Sequence, residues 1–264
     1  MRAVRRWFRR RAAERHIAPR VTALTDELTG VFGPGIRLVP VGAAGRDSIY
    51  RVLDKGAPVA VVRLINPHRQ RAALPPDSPF IWLEDHQRLD HEWRCYTTGH
   101  AAGLTPEPLW RCADALVCRY VPWPTLFDQF TAAPRNFWAF LDRATRATAQ
   151  LHRTGLTHMD ASLVNILASP TGPGVMFIDF EYGPAPFVNV AAQRAYDYLR
   201  LLESSLKFLK APGHAATEPW ITLLKESVAP ETATADLTAL RPALSRLHAD
   251  PQLVTAIRRV FPAF

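Results

Sequence analysis

The segment Leu151–Gly183, with the sequence LHRTGLTHMDASLVNILASPTGPGVMFIDFEYG, carries the pattern that decides the fold. Asn165 follows Asp160 by five residues, and a Pro-Thr-Gly-Pro-Gly stretch then separates two short apolar runs. Because glycine and proline at this density are typical of a turn, the two runs are predicted to form a small hairpin. Asp179 stands at the end of the second run, where the strand end fixes the position of its carboxylate.

Asp160, Asn165 and Asp179 are the residue types that phosphoryl transfer to a hydroxyl group needs. One carboxylate accepts the proton of the attacking hydroxyl, while an amide oxygen and a second carboxylate hold Mg²⁺ against the nucleotide phosphates. Taken singly, Asp160 is explained by a helix cap and Asp179 by a turn. Their combination at this spacing favours the chemical interpretation.

The motif from His158 to Asn165, together with the Ile-Asp-Phe strand around Asp179, resembles the catalytic and metal motifs of the protein-kinase-like fold. The resemblance implies an α+β, bilobal fold with a small β-rich N-lobe and a larger α-helical C-lobe, and ATP and Mg²⁺ as cofactors. It also implies that Asp160 is the catalytic base, that Asn165 and Asp179 bind the metal, and that His158 supports the catalytic loop. It extends over roughly residues 41–202.

Within this fold, the segment differs from the protein kinases that phosphorylate peptides. Glu181 stands where those enzymes have Gly, Ser162 stands where they usually have Lys, and only about ten residues separate Asp179 from the helix near Val190. That distance is too short for the activation segment that holds a peptide. The IDFEY sequence is similar to the metal strand of choline and ethanolamine kinases, so the resemblance favours a small-molecule or glycolipid acceptor.

The rest of the chain predicts a β-rich half followed by a helical half. One helix is predicted at Leu83–Ala102, and the apolar spacing is helical from Asn136 onward. Apolar and β-branched runs predict five strands, at Ile36–Val41, Ser48–Asp54, Val59–Ile65, Pro108–Ala113 and Ala115–Val121. The predicted domains are a basic helical segment (1–29), an N-lobe of five strands and one helix (30–119), a hinge (120–124) and a helical C-lobe with the catalytic and metal loops (125–264). A cleft is expected at the hinge.

Several residues of the N-terminal half are candidates for nucleotide binding. Gly42, Gly45 and Ser48 lie between two predicted strands, where backbone N–H groups can cover phosphates, although an ordinary hairpin turn explains the glycines equally well. In the third strand, where the family carries a phosphate-pairing Lys, this chain has Arg63. Its guanidinium differs from an ammonium in size and reach, so the exchange is not neutral.

Glu92, on the inserted helix, is the expected partner of Arg63, with Glu84 and Asp85 as alternatives if the helix register differs. The helix and the TPEP sequence after it resemble the entry into the fourth strand of lipopolysaccharide core kinases and aminoglycoside phosphotransferases. A solvated helix carboxylate is the other explanation of Glu92.

Four further positions bear on the site. Tyr120 and Val121 fall in the predicted hinge, whose backbone groups would bind adenine. Asp197, on the helix that begins near residue 190, either braces the catalytic loop or lies exposed. His152 is expected on the surface of its helix, and no spacing of histidines or cysteines indicates zinc.

The charge of the chain is uneven. The 264 residues include 32 Lys or Arg and 24 Asp or Glu, which gives a net charge of +8, and six of the first eleven residues are arginine. A solvated arm explains this start, and an interfacial helix on an anionic membrane is the second interpretation. Nucleic-acid binding is disfavoured because no recognition motif accompanies the charge.

No apolar run approaches the roughly 20 residues of a membrane span, and no secretory signal follows the arginines. The three cysteines include no Cys-x-x-Cys pair, which is typical of free thiols in a reducing compartment. We therefore expect a cytoplasmic protein, with peripheral contact to the inner face of the membrane through residues 1–11.

Three functions are compatible with these patterns. An ATP-dependent kinase acting on a hydroxyl of a sugar or glycolipid comes first, because an inner-leaflet glycolipid would account for the arginine-rich start. A choline-kinase-like or aminoglycoside-kinase-like enzyme is the nearest rival, and acidic residues of the tail such as Glu203 are candidates to line an aminoglycoside site. A pseudokinase scaffold is the third. Arg63 supports it, whereas the complete set of Asp160, Asn165 and Asp179 argues against it.

Overall fold

The computed structural model describes residues 2–44, 47–69, 71, 73–209 and 214–264, with the backbone alone for residues 2–10, 42–44 and 214–216. The chain divides into two compact units. The first unit is built on a β-sheet, and the second is mainly helical. The first comprises Met1–Ala73, Glu84–Trp93 and Pro106–Val121; the second comprises Leu74–Leu83, Arg94–Thr105 and Pro122–Phe264.

The elements follow one another along the chain in this order. The helices are α1 (Arg2–Phe32), α2 (Asp85–Ala101), α3 (Leu126–Ala132), α4 (Phe137–Arg153), α5 (Val190–Ser205), α6 (His214–Ser227), α7 (Pro230–Ala233), α8 (Ser245–His248) and α9 (Pro251–Arg258). The strands are β1 (Arg37–Ala44), β2 (Asp47–Asp54), β3 (Ala57–Ile65), β4 (Phe80–Trp82), β5 (Pro108–Arg111), β6 (Ala115–Arg119), β7 (Ile166–Ala168), β8 (Val175–Phe177) and β9 (Tyr182–Pro184).

The sheet of the first unit contains the five strands that the sequence predicts. Its order is β1-β2-β3-β6-β5, and every neighbouring pair is antiparallel. β3 holds the β-branched run that fits a pleated, buried surface. Between β2 and β3, Lys55 and Gly56 both have positive φ, 48° and 87°. Two consecutive residues with positive φ form a turn whose twist matches the twist of the two strands that it joins.

Helix α1 packs on this sheet. Ile17, Leu24 and Leu28 lie on one face of the helix and belong to the same buried cluster as Val52 and Val62 of the strands. The described side chains of α1 and the sheet therefore share one buried cluster. A sequence pattern shows an apolar stripe on a helix but not the surface that covers it.

The helical unit is organised around α4 and α5. α4 buries Leu141, Ala144 and Leu151, as its apolar spacing predicts. The predicted hairpin is present as β7 and β8, with Ile166 opposite Phe177. The pair of β4 and β9 was not predicted, because strands of three residues give no periodic signal. Among the helices that the structure describes, none combines the length and apolar character needed to cross a bilayer.

Candidate active site

The loop between α4 and β7 in the helical unit carries the predicted base Asp160, and it is called the catalytic loop for that predicted role. Asn165 Nδ2 donates to Asp160 Oδ2 at 2.9 Å, and Arg200 Nε donates to Asp160 Oδ1 at 2.8 Å. Both carboxylate oxygens are therefore held in place. Because only 19% of the side chain is exposed, the carboxylate is also largely shielded from water.

The surroundings of Asp160 raise its pKa above the ordinary value of a carboxylate. Burial is the largest cause and the charge of Asp179 acts in the same direction, whereas Arg200 and His158 oppose it. A carboxylate with a raised pKa is a stronger base than one on the surface. The charge of Asp179 is thus part of the environment that sets the pKa of Asp160.

His158 fastens the catalytic loop to the strand that carries Asp179. Its Nε2 lies 3.0 Å from Ile178 O, and because a carbonyl only accepts, Nε2 carries the proton. Ile178 N in turn donates to Asn165 O at 2.9 Å. The imidazole also stacks on Phe180, with 4.4 Å between ring centroids. The structure thus joins the two predicted motifs by one side-chain and one backbone hydrogen bond and by an aromatic contact.

Asp197 of α5 is fully buried and braces the catalytic loop. It accepts hydrogen bonds from His158 N and Met159 N, both at 2.8 Å. Of the two explanations that the sequence allows, bracing is the one the structure shows. Met159 has a φ of 61°, a left-handed conformation that costs a non-glycine residue ~1–3 kcal/mol. The bonds from Asp197 hold this strained turn.

The expected exposure of His152 was wrong. This residue of α4 is buried, and its Nε2 lies 3.0 Å from Asp197 Oδ2. It also meets the Tyr198 ring edge-on, with centroids 5.0 Å apart. The partners of His152 come from another helix, and the spacing of apolar residues along α4 cannot reveal them.

Asp179 adopts a left-handed backbone conformation, with a φ of 71°. Its N–H donates to the Tyr96 hydroxyl at 3.1 Å, and the ring of Tyr96 packs edge-on against Phe180, which follows the aspartate. Tyr96 is buried near the middle of α2. Tyr96, which sequence analysis did not single out, therefore stabilises the Asp179 turn through a hydrogen bond and an aromatic contact.

The donor set of this site fits Mg²⁺. Asn165 donates its amide N–H groups to the Asp160 backbone oxygen and to Oδ2, so the amide oxygen is the atom that could bind a metal. Asp179 adds a carboxylate. Mg²⁺ commonly takes one or two protein oxygens and completes its shell with phosphates and water. Over the described ranges, no group of three or more His, Cys, Asp or Glu side chains is arranged as a metal cage.

Arg200 is a second site residue that sequence analysis missed. It lies on α5 three residues after Asp197, and residues at this spacing share one face of a helix. Asp197 binds the backbone of the catalytic loop and Arg200 binds its carboxylate. The only signal in the sequence was the spacing of an aspartate and an arginine on one helix. That spacing does not show which residues the two side chains contact.

Arg63 and Glu92 belong to a buried cluster of four charges in the first unit. Arg63 lies 3.6 Å from Glu92, so the expected ion pair is present, but it lies only 2.8 Å from Asp47. Arg88 completes the cluster, at 2.7 Å from Asp47 and 3.0 Å from Glu92. The charges of the two carboxylates and the two guanidinium groups balance one another. Arg88 and Glu92 are fully buried. The alternative partner Asp85 pairs with Arg71 instead.

The other candidates for nucleotide binding lie in strands or beside them. Gly42 is within β1 and opposite Ile49 of β2, whereas Gly45 lies outside the described residues. Ser48 is buried, and its hydroxyl donates to Glu14 of α1 at 2.6 Å.

The hinge candidates follow β6 directly. Tyr120 N donates to Val59 O at 3.0 Å, and the guanidinium of Arg51 lies over the Tyr120 ring, 5.4 Å from its centroid. Val121 is the last residue of the first unit. A nucleotide-binding role for Tyr120 and Val121 stays a prediction, as it does for the glycines, Ser48, Arg63 and Glu92.

Comparison with known proteins gives no family assignment. No family model matches the chain, and no curated protein matches it. Among solved structures, the chain is similar to a mutant of the Mycobacterium tuberculosis PknI kinase domain. The two share 15% identity and a TM-score of 0.44, over 81% of this chain and 96% of that one. No conclusion is drawn from a likeness of this size, and the candidate site depends on its own geometry.

Proposed function

We propose that this chain is a kinase-like phosphotransferase that uses Mg-ATP to phosphorylate a hydroxyl group. The observation that carries the proposal is the joining of Asp160, Asn165 and Asp179 by hydrogen bonds between their loops. Two of the backbone positions involved, Met159 and Asp179, have the strained left-handed conformation that is common at functional sites.

Each residue has a distinct task in this reaction. Asp160 accepts the proton of the acceptor hydroxyl, since each of its oxygens has a second lone pair beside the bond to Asn165 or Arg200. Asn165 and Asp179 would hold Mg²⁺. When bound, Mg-ATP would supply the transferred phosphoryl group and neutralise the charge that develops on it. His158 and Asp197 keep the loop in its conformation.

A sugar or glycolipid is the proposed acceptor, with an amino alcohol or aminoglycoside as the alternative. About ten residues separate Asp179 from α5, and β9 within them pairs with β4. This segment is short for a platform that holds a peptide. Glu203 gives no support to an aminoglycoside site, because it is buried and accepts hydrogen bonds from the Arg246 and Leu247 backbone.

Turnover tests the role of Asp160. We expect ATP consumption with a sugar, glycolipid or amino-alcohol acceptor, and mass spectrometry of a treated cell-envelope extract identifies the phosphorylated product. Asp160→Asn should reduce turnover by a factor on the order of 10² or more and leave nucleotide affinity nearly unchanged. Asp142→Asn, on an exposed face of α4, is the matched control. Near-normal turnover of Asp160→Asn would place the base elsewhere.

Binding tests the role of Asp179. Because its carboxylate is proposed to hold the metal, Asp179→Ala should weaken ATP binding in the presence of Mg²⁺ by about tenfold or more. Calorimetric titration with and without Mg²⁺ measures this effect. If the variant binds Mg-ATP as the wild type does, the metal role of Asp179 is refuted.

A binding protein without turnover is the second candidate, and the buried charge cluster favours it. The guanidinium of Arg63 is engaged by Asp47 at 2.8 Å, so it would have to leave this partner in order to bind a phosphate. A thermal shift with Mg-ATP, together with no ATP consumption against any acceptor or extract, would favour this candidate over the enzyme.

A further inference from the structure

A cavity of about 290 Å³ opens between the C-terminal end of α4, the first half of α5 and the segment that joins α6 to α7. Its size lies just below the usual range for small-molecule pockets, roughly 300–1,000 Å³. His152, Arg153, Arg194 and Thr232 line it. Of these, only His152 touches a residue that the proposed reaction uses.

Two polar groups of this cavity lack hydrogen-bond partners. Thr232 is 1% exposed, and its Oγ1 has no partner in the part of the chain that the structure describes. Arg194 Nε is buried and equally unsatisfied there. A buried donor without a partner costs about 1–3 kcal/mol, and such groups in native proteins call for an explanation. A bound molecule that accepts hydrogen bonds would supply one.

The charged groups around the cavity are mainly positive. Within the described residues, Arg153 forms no ion pair and no side-chain hydrogen bond. Arg194 has one carboxylate neighbour, Glu231, at 3.4 Å, but that side chain is 62% exposed to water. Such an exposed pair contributes little and is easily exchanged. Two guanidinium groups and a hydroxyl are thus available to one ligand.

We propose that this cavity binds a small molecule through a carboxylate or phosphate group. Guanidinium groups present several N–H donors in a planar fork that matches both kinds of oxyanion. The Thr232 hydroxyl can donate a further hydrogen bond. Neither a cation nor an uncharged apolar molecule would satisfy these donors.

The cavity is connected to the catalytic loop by a chain of direct contacts. His152 lines the cavity, and its Nε2 lies 3.0 Å from Asp197 Oδ2. The same oxygen accepts the hydrogen bond from His158 N at 2.8 Å. A ligand held beside His152 therefore stabilises the brace of the loop. Only an effect of this ligand on turnover depends on the proposed function; binding and loop protection do not.

Titration of the full chain with two probes tests the site. Inorganic phosphate and malonate are added in separate arms, so that the tighter probe identifies the preferred oxyanion. At least one should bind, and both Arg153→Gln and Thr232→Val should weaken that binding about tenfold or more. Thr232→Ser, which keeps the hydroxyl, and Arg146→Gln, on an exposed part of α4, should bind as the wild type does. The proposal is overturned if neither probe binds the wild type. It is also overturned if Arg153→Gln or Thr232→Val binds the probe with wild-type affinity.

Hydrogen exchange tests the connection without reference to activity. At a saturating concentration of the tighter probe, the amides of His158 and Met159 should exchange more slowly, because their acceptor Asp197 is held by His152. The slowing should be absent in Arg153→Gln. Equal exchange rates with and without the probe would show that the cavity does not act on the loop.

Discussion

The contact between Arg200 and Asp160 sets the pH range in which the proposed base is ionised. Burial raises the pKa of Asp160, and the guanidinium 2.8 Å away limits that rise. Arg200→Gln removes the positive charge, so the pKa of Asp160 should rise further. Because a base must be deprotonated to act, the acid limb of the pH profile of kcat/KM should move to higher pH. At a pH on that limb, we expect a rate lower by on the order of tenfold.

Two other variants distinguish the effect of the Arg200 charge on the pH profile from a general effect of substitution. Arg200→Lys keeps the positive charge and should move the acid limb less than Arg200→Gln does. Arg146→Gln removes an exposed arginine that pairs with Asp142 and should leave the profile in place. A profile that is unmoved in Arg200→Gln would mean that the guanidinium does not control the ionisation of Asp160.

Asp47 is predicted to be the most costly single charge to remove from the first unit. Burial raises its pKa, but Arg63 and Arg88 lower it by more, so the folded pKa lies below the ordinary value of 3.8. Asp47→Asn would leave the two buried guanidinium groups sharing Glu92, so one buried positive charge would no longer be balanced within the cluster, which should cost about 3–5 kcal/mol of unfolding free energy. Urea denaturation at pH 7 measures this cost. Asp26→Asn, on the exposed face of α1, is the control.

The pH dependence of stability follows from the same depressed pKa. A carboxylate whose pKa is lower in the folded state stabilises the fold fully above its unfolded pKa, and this contribution is lost as pH falls toward the folded pKa. The wild type should therefore lose part of its stability below about pH 4. Asp47→Asn should lose less over that interval. Parallel acid curves for the two proteins would contradict the assignment.

The residues of the candidate site differ in how far the sequence could reveal them. Asp160, Asn165 and Asp179 were found because their spacing within one segment is itself a pattern. Arg200 and Asp47 lie in other segments, 40 positions from Asp160 and 16 from Arg63. Their roles depend on which segments meet in the folded chain. A single sequence does not show which distant segments come into contact, unless a known motif indicates it.

At the scale of elements, α5 is predicted to hold the catalytic loop through Asp197. This carboxylate uses both oxygens on the His158 and Met159 amides. Asp197→Asn offers one oxygen and one NH₂ group, so one backbone N–H loses its acceptor. The expected costs are about 1–3 kcal/mol of unfolding free energy and a reduced turnover, since the left-handed Met159 turn is no longer held. Urea denaturation and turnover assays measure both.

The control for this variant is Glu226→Gln on α6, an exposed carboxylate distant in sequence from the loop. It should change unfolding free energy by less than about 0.5 kcal/mol. Faster hydrogen exchange of the Met159 amide in Asp197→Asn would locate the damage in the loop. Exchange at the wild-type rate, with full turnover, would mean that α5 is not the brace.

Long elements with strong periodicity were predictable, and short ones were not. α4 was expected at Asn136–Arg153 and runs over Phe137–Arg153, because its apolar stripe is regular. The three residues of β4 follow a proline-rich stretch and become a strand only by pairing with β9, about a hundred positions later. Pairing of this kind is a property of the folded chain rather than of the segment.

At the scale of the whole molecule, the sequence predicted a β-rich part followed by a helical part, but it did not show that α2 contributes residues to both units. The division between the units falls at Trp93 and Arg94, inside α2, rather than only at the predicted hinge. The composition of a continuous helix does not change at such a point. Packing decides which unit each turn of the helix joins, and packing is what a single sequence does not display.

The uneven charge of the molecule leads to the last prediction. Deleting residues 2–11 removes six arginines and no acidic residue, and it lowers the net charge from +8 to +2. Since each basic residue near an anionic surface contributes about 1 kcal/mol, binding to vesicles that contain phosphatidylglycerol should fall at least about a hundredfold. Co-sedimentation at low and high salt measures it, and wild-type binding should weaken as salt screens the charges.

The fold should survive this deletion, because it keeps the contacts that α1 makes with the rest of its unit from Ala13 onward. The Ala13 carbonyl accepts from Asn66, Glu14 accepts from Ser48 and Tyr50, and Ile17 is in the core. A variant with the six arginines replaced by glutamine keeps the length of the helix and separates charge from chain length. It should lose vesicle binding as the deletion does and keep the melting temperature of the wild type. If either variant still binds the vesicles with wild-type affinity, residues 2–11 do not form a membrane contact.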